Sequence, residues 1–159
     1  MITIGTGKTE IAGYDFQEWE ALKSDFENDK EKYRTHCKSF NELMCEVLNG
    51  DSVSEFCIKT GLGAHMFNRL KKYADAKDPV EKATIMSVAI GYHLDINLVL
   101  AILDSMGTGF NKFNDRDYAY TFILTRCRDK DIDECNEILK DLNIPKTYWL
   151  GSKSRDNDD

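Results

Sequence analysis

Proline is almost missing from this chain, with Pro79 and Pro145 the only two in 159 residues. Long windows are therefore free of the residue that most strongly breaks a helix. No apolar run approaches the ~20 residues that a membrane span needs, and no basic segment followed by an apolar core opens the sequence. The expectation is a cytoplasmic protein without membrane contact. Cysteine is present in the wrong pattern for either of its structural uses. Cys37, Cys45, Cys57, Cys127 and Cys135 are an odd number without C-x-x-C spacing, which indicates neither a disulfide framework nor a zinc site. Each falls where a helix would bury it as a small hydrophobe. His36, His65 and His93 lie far apart, and no motif joins a nucleophile to a base. Paired acids such as Asp115 with Asp117, or Asp131 with Asp133, read as helix starts, where carboxylates suit the dipole. No metal, cofactor or enzymatic activity is expected.

Positive charge is also short. The formal net charge is -7, with 42% hydrophobic and 31% charged residues, a composition that suits a globular domain and not a disordered chain. An acidic total argues against nucleic acid, so its distribution decides more than its sum. The one net basic window is residues 59–77, where Lys59, Arg69, Lys71, Lys72 and Lys77 stand against Asp75 alone. A phosphate-facing surface explains this window, and so does an ordinary solvated helix end, because cations favour helix C-termini.

What remains is helical spacing. Residues 1–29 read as an N-terminal arm and an acidic helix. The arm contains Gly5-Thr-Gly-Lys-Thr9, which fails the phosphate-loop pattern because Ile2 occupies the place of its first glycine. Asp15 and Glu18 form a capping-box start for Phe16, Trp19, Leu22 and Phe26. After a charged break at Asn28–Lys32, a second stripe runs through Tyr33, Cys37, Phe40, Met44 and Leu48 to Gly50. Asp78 and Pro79 open a further helix, whose run Ile85–Ile90 is apolar on nearly every side and belongs at the centre. Asp95 caps the next, with Leu98, Val99, Ile102, Leu103 and Met106 buried.

A link over residues 107–114 follows, pinned by Phe110 and Phe113. Residues 115–150 read as a C-terminal helical hairpin packed on the preceding domain. Its first helix carries Tyr118, Phe122, Ile123 and Cys127. Its second, capped by Asp131 and Glu134, carries Ile132, Cys135, Ile138, Leu139 and Leu142. This second helix echoes the Asp95 helix at a constant offset of 36 residues, by the alignment of Asp95 with Asp131 and of Leu103 with Leu139. Shared helix-pair geometry explains the echo as well as a repeat does. Tyr148, Trp149 and Leu150 dock back on the body, and residues 151–159 form a disordered tail.

The stretch Ser52–Lys72 organises the rest. Ser52 and Glu55 are a capping box, Gly61 supplies the positive φ for a sharp reversal, and Leu62 plugs the angle between two helices. Residues 30–107 are thus expected to form a helix-turn-helix domain.

Over Ser52–Met106 the chain resembles the Xre/Cro, phage-repressor-like helix-turn-helix family, through Ser52, Glu55, Phe56, Cys57, Gly61, Leu62, Phe67, Arg69, Leu70, Ile85, Val88, Ala89 and Leu94. The segment from Asp131 through Leu139 and Ile144 to Ser154 is similar to the helical C-terminal extension of some bacterial Xre-type regulators. The resemblance spans about Lys30 to Ser154. It implies an all-α phage-repressor-like fold of about seven helices with a short N-terminal arm, in a bacterial or phage protein. It also implies a DNA-binding transcriptional regulator whose recognition helix begins at Ala64 and enters the major groove. Ala64, His65 and Asn68 would meet base edges while Lys59, Lys71 and Lys72 hold phosphates. The chain departs from the family where glutamine and serine are common, having Val53, Gly63 and Ala64. Asparagine can bond adenine and alanine can touch a thymine methyl, which leans toward A·T.

Such domains usually act as dimers, and the helix Leu98–Met106 or the C-terminal hairpin could supply the homodimer surface or seat a protein partner. The alternative is a helix-turn-helix-derived interaction module that does not read DNA. The departures, the acidic helix Asp15–Asp29 and the negative total all favour it.

Overall fold

A computed structural model describes residues 10–74 and 77–151. Among these residues the structure is helical apart from one hairpin of two-residue strands, and the chain divides into two compact units, up to Lys38 and from Ser39 onward.

In the first unit Glu10–Ile11 (β1) pairs antiparallel with Tyr14–Asp15 (β2). The intervening Ala12 and Gly13 both have positive φ, at 51° and 86°, the combination that a tight two-residue hairpin requires. Asp15 then caps α1 (Phe16–His36), and its reciprocal bonds with Glu18, 2.8 and 2.9 Å, complete the expected capping box. No break occurs at Asn28–Lys32. Nothing there is glycine or proline, and Glu27 and Lys30 pair at 3.1 Å along the helix, so α1 continues to His36. Met1–Thr9 of the predicted arm lie outside the described residues.

The second unit begins at Ser39, which forms a capping box with Glu42 for α2 (Phe40–Val47). The stripe read as one helix from Tyr33 to Leu48 is therefore cut in two. Phe40, Met44 and Leu48 are buried, while Tyr33 is exposed on α1.

The centre is α5 (Lys82–Gly91), in which all eight residues from Ala83 to Ile90 are buried. Its start differs from the expected Asp78–Pro79. Glu81 is the N-cap, because Val80 is drawn into the core and Asp78 is engaged by Arg69 at 3.1 Å. α6 (Ile96–Ser105) is capped by Asp95 and buries Val99, Ile102 and Leu103. Its apolar face is consumed by its own core, which leaves little of it for the homodimer surface proposed on Leu98–Met106.

α7 (Asp115–Arg126) is capped by Asn114 and buries Ala119, Tyr120, Ile123 and Leu124. Tyr118 and Phe122, expected inside, are exposed. The helix is apolar on two sides, and the burial of Asp117 selects the other one. The carboxylate of Asp117, 1% exposed, accepts from Lys82 Nζ at 2.8 Å, Arg116 Nε at 3.0 Å and the Asn111 amide at 2.8 Å. It thus joins α7 to α5 and to the 107–114 link. Phe110 pins that link by an edge contact with Tyr120 at 6.4 Å, whereas Phe113 is 99% exposed.

α8 (Ile132–Asp141) opens with the expected box of Asp131 and Glu134 and is as long as α6, 36 residues earlier. The chain then folds back. Asn136 donates to the Leu150 carbonyl at 2.9 Å and accepts from its amide at 2.7 Å, Tyr120 donates to the Tyr148 carbonyl, and the Gly151 amide donates to Ser87 Oγ at 2.9 Å. The expected docking of Tyr148, Trp149 and Leu150 is thereby made, with Leu150 fully buried and Tyr148 and Trp149 half-buried.

The cysteines are not uniformly buried. Cys37 and Cys45 are exposed, Cys57 and Cys127 intermediate, and only Cys135 is enclosed, its thiol pushed up to about 12 by burial and by nearby negative groups. Ellman's reagent is expected to titrate Cys37 and Cys45 quickly in the native protein and Cys135 only on unfolding. Fast labelling of Cys135 without denaturant would contradict this packing.

Candidate nucleic-acid interface

The stretch around Gly61 forms two helices joined by a three-residue turn. Ser52 Oγ accepts from the Glu55 amide at 3.2 Å and Glu55 accepts from the Ser52 amide at 3.2 Å, fixing the start of α3 (Val53–Thr60). Gly61 stands at φ 72°, a left-handed conformation that costs a side chain dearly. Leu62 is 3% exposed beneath the turn, and Phe56 meets Phe67 edge-on at 5.3 Å between the two helices.

A buried hydroxyl completes the turn. Thr60 Oγ1 donates to the Phe56 carbonyl at 2.7 Å and accepts from the Leu62 amide at 3.1 Å, satisfying a donor that solvent cannot reach. Thr60→Val removes the acceptor while keeping the shape. It is expected to lower stability by about 1–2 kcal/mol, read from the midpoint of urea unfolding; an unchanged midpoint would show the bond to be idle.

The second helix of the pair, α4 (Ala64–Asn68), runs on into a π-helical turn at Arg69–Tyr73. Wide turns of this kind leave carbonyls open to other donors. Here α2 supplies them, Asn41 Nδ2 donating to the Leu70 carbonyl at 2.7 Å and Cys45 Sγ to that of Lys71 at 3.5 Å. The inward face is Phe67, Leu70 and Ala74, all buried. The outward face is Ala64, His65, Asn68 and Lys72, all exposed. Positions 64, 65, 68 and 72 are neighbours on a helical surface. A Cβ at Gly63 would meet only the exposed His65 ring, at 3.2 Å, which a small rotation of that side chain relieves.

Lys59 and Arg69 of this window are already engaged. Lys59 Nζ bonds Asp51 at 2.8 Å and lies 4.8 Å from the centre of the Tyr92 ring, while Tyr92 donates to the same carboxylate at 2.7 Å. These donors hold Asp51 below the usual carboxylate range, and burial, then the Asp51 bond, holds the Tyr92 phenol far above its own. Arg69 reaches Asp78 and the carbonyls of Asp78 and Pro79, bridging α4 to the approach of α5. Lys71 and Lys72 form no ion pair among the described residues. Lys72 is exposed, and Lys71 lies over the Phe67 ring at 4.6 Å.

The turn also borders a cleft that sequence reasoning missed. It encloses about 530 Å³, with Cys57, Ile58, Leu62 and Ile132 as its apolar wall and Asp131 and Asp133 at the start of α8. Ile58 is 84% exposed. The start of α8 and the C-terminal segment come close to the turn: a Cβ on Gly61 would meet the Gly151 backbone at 3.3 Å and Ile132 at 3.9 Å. Contacts between residues about 70 and 90 positions apart leave no periodic signal. Among the described residues no group of His, Cys, Asp and Glu could hold a metal ion, and no helix is long and apolar enough to cross a membrane.

No match to this chain is found among known protein families, characterised proteins or solved structures.

Proposed function

We propose that the protein is a DNA-binding transcriptional regulator of the Xre type, with a phage-repressor-like helix-turn-helix built from α3, the Gly61 turn and α4. The observation that carries this reading is the division of α4 into two faces. Phe67 and Leu70 lock it against α3 and α2, while Ala64, His65 and Asn68 present a short, mostly uncharged edge to solvent with Lys72 beyond it. A major groove admits one helix carrying such a face. Asn68 bonds an adenine edge, Ala64 touches a thymine methyl, and Lys71 and Lys72 hold phosphates. Lys59 and Arg69 keep the scaffold together through Asp51 and Asp78.

Phosphate affinity then rests on few charges, and its logarithm falls with log salt by about 0.9 for each phosphate neutralised. Lys71→Glu with Lys72→Glu is expected to abolish binding of a non-specific duplex at low salt. Lys71→Ala with Lys72→Ala should leave weaker binding and flatten the slope of log affinity against log salt by about 2 per bound chain. Binding of the glutamate variant equal to wild type would remove the proposal.

A second reading, an interaction module that does not read DNA, is favoured by the cleft beside the turn. Its exposed Ile58 and its acids Asp131 and Asp133 suit a protein surface better than a phosphate backbone. Under that reading Ile58→Asp would abolish capture of a protein partner, and Lys71 and Lys72 could be reversed without effect on it.

A further inference from the structure

We infer that Asn41 is a positioning residue for the proposed DNA contact: from α2 it holds the π-helical turn at Arg69–Tyr73 in its wide form and so aims Lys71 and Lys72. The role rests on the DNA reading and adds to it a residue outside the α3–α4 pair.

The turn is built on an exchange of donors. The Ala74 amide donates to the Arg69 carbonyl, five residues back, at 2.9 Å. It thereby passes over the Leu70 carbonyl, four residues back, which is its partner in an α-helix. Leu70 is fully buried, so water does not take the vacated place and another donor must. Asn41 is that donor, with Nδ2 2.7 Å from the Leu70 carbonyl oxygen. Cys45, one turn further along α2, donates to the next carbonyl, that of Lys71, at 3.5 Å. A thiol is a weak donor, so the side-chain amide of Asn41 carries most of the compensation. Ala74 then leaves the helix, at φ -83° and ψ 138°.

The consequence falls on the two lysines. A turn closed five residues back holds one residue more than an α-helical turn, so the side chains in it lag behind the α-helical period. The lag carries Lys71 toward Phe67, whose ring centre lies 4.6 Å from Lys71 Nζ, and carries Lys72 toward the line of Ala64 and Asn68, which are exposed with it. Without the Asn41 donor, the Ala74 amide moves to the Leu70 carbonyl, the turn tightens to α-helix, and both lysines rotate out of these places.

A double-mutant cycle read by binding of a mixed-sequence duplex across salt tests this. Asn41→Leu keeps the size of the side chain and removes its amide. In the otherwise wild-type chain it is expected to weaken binding about tenfold at low salt and to flatten the slope of log affinity against log salt by about 1. In the chain carrying Lys71→Ala and Lys72→Ala the same substitution should change affinity by less than about twofold, because the cations it aims are gone. Asn41→Ala, which removes the amide without adding bulk, should behave alike, and far-UV ellipticity shows that both variants are folded. Wild-type affinity in the Asn41 variants, or an equal loss in both backgrounds as a merely structural residue would give, overturns the inference and leaves the DNA reading standing. A wild-type chain that binds no duplex removes both.

Discussion

Replacing Asp117 by alanine is expected to destabilise the second unit by about 3–5 kcal/mol. The carboxylate is 1% exposed and holds three donors from three places in the chain. Its removal strands Lys82, whose side chain is 18% exposed, and leaves the Asn111 amide without its acceptor. Arg116 also stacks on Tyr148 at 4.8 Å, so the loss spreads to the C-terminal segment. Urea unfolding followed by far-UV ellipticity measures the change, and a loss below about 1 kcal/mol would mean that solvent already satisfies these groups. The pH dependence has a definite sign. Burial by itself raises the Asp117 pKa, but the Asn111 amide, Lys82 and Arg116 outweigh it and hold the carboxyl below the usual range. A depressed carboxylate contributes stability that is full above the unfolded pKa and is lost as pH falls through the folded one. Wild type should therefore lose stability on acidification over that interval more steeply than Asp117→Asn does.

Gly91→Val is the second large effect, expected to cost about 3 kcal/mol by overpacking. Gly91 ends α5 outside the left-handed region, so its backbone would accept any residue. Space is what forbids one. A Cβ at this position would lie 2.5 Å from the Lys59 carbonyl oxygen and 2.9 Å from its carbon. Backbone cannot yield as a flexible side chain does, so α3 must move relative to α5 and take the Gly61 turn with it. Thermal unfolding gives the stability change, and an unchanged melting temperature would show that the two helices are not held at this distance.

Most of the scaffold was legible because its signals are local. The boxes at Asp15, Ser52 and Asp131, the Asp95 cap, the Gly61 reversal and the apolar run of α5 each depend on residues a few positions apart, and each stands where the spacing placed it. The box at Ser39 and Glu42 carries the same signature, but the apolar stripe running from Tyr33 to Leu48 without interruption masked the end of α1. Tertiary choices left fainter marks. α7 offers Tyr118 and Phe122 on one side and Tyr120 and Leu124 on the other, and only the cations waiting for Asp117 decide between them.

The candidate interface divides the same way. The outward placement of Ala64, His65 and Asn68 followed from helical period. The capture of Lys59 by Asp51, of Arg69 by Asp78, and the seating of Gly151 under Gly61 did not, because each joins segments that sequence distance separates. What the charge count read as a five-cation surface is in part internal bracing of the fold.

The central proposal is that the α3–α4 pair binds duplex DNA, and its most direct test is the affinity of the 159-residue chain for a mixed-sequence duplex, measured by fluorescence anisotropy as salt is raised. The account predicts binding at low salt that weakens log-linearly with a slope of about -0.9 for each phosphate neutralised. Absence of binding at the lowest salt, or an affinity that does not change with salt, would contradict it.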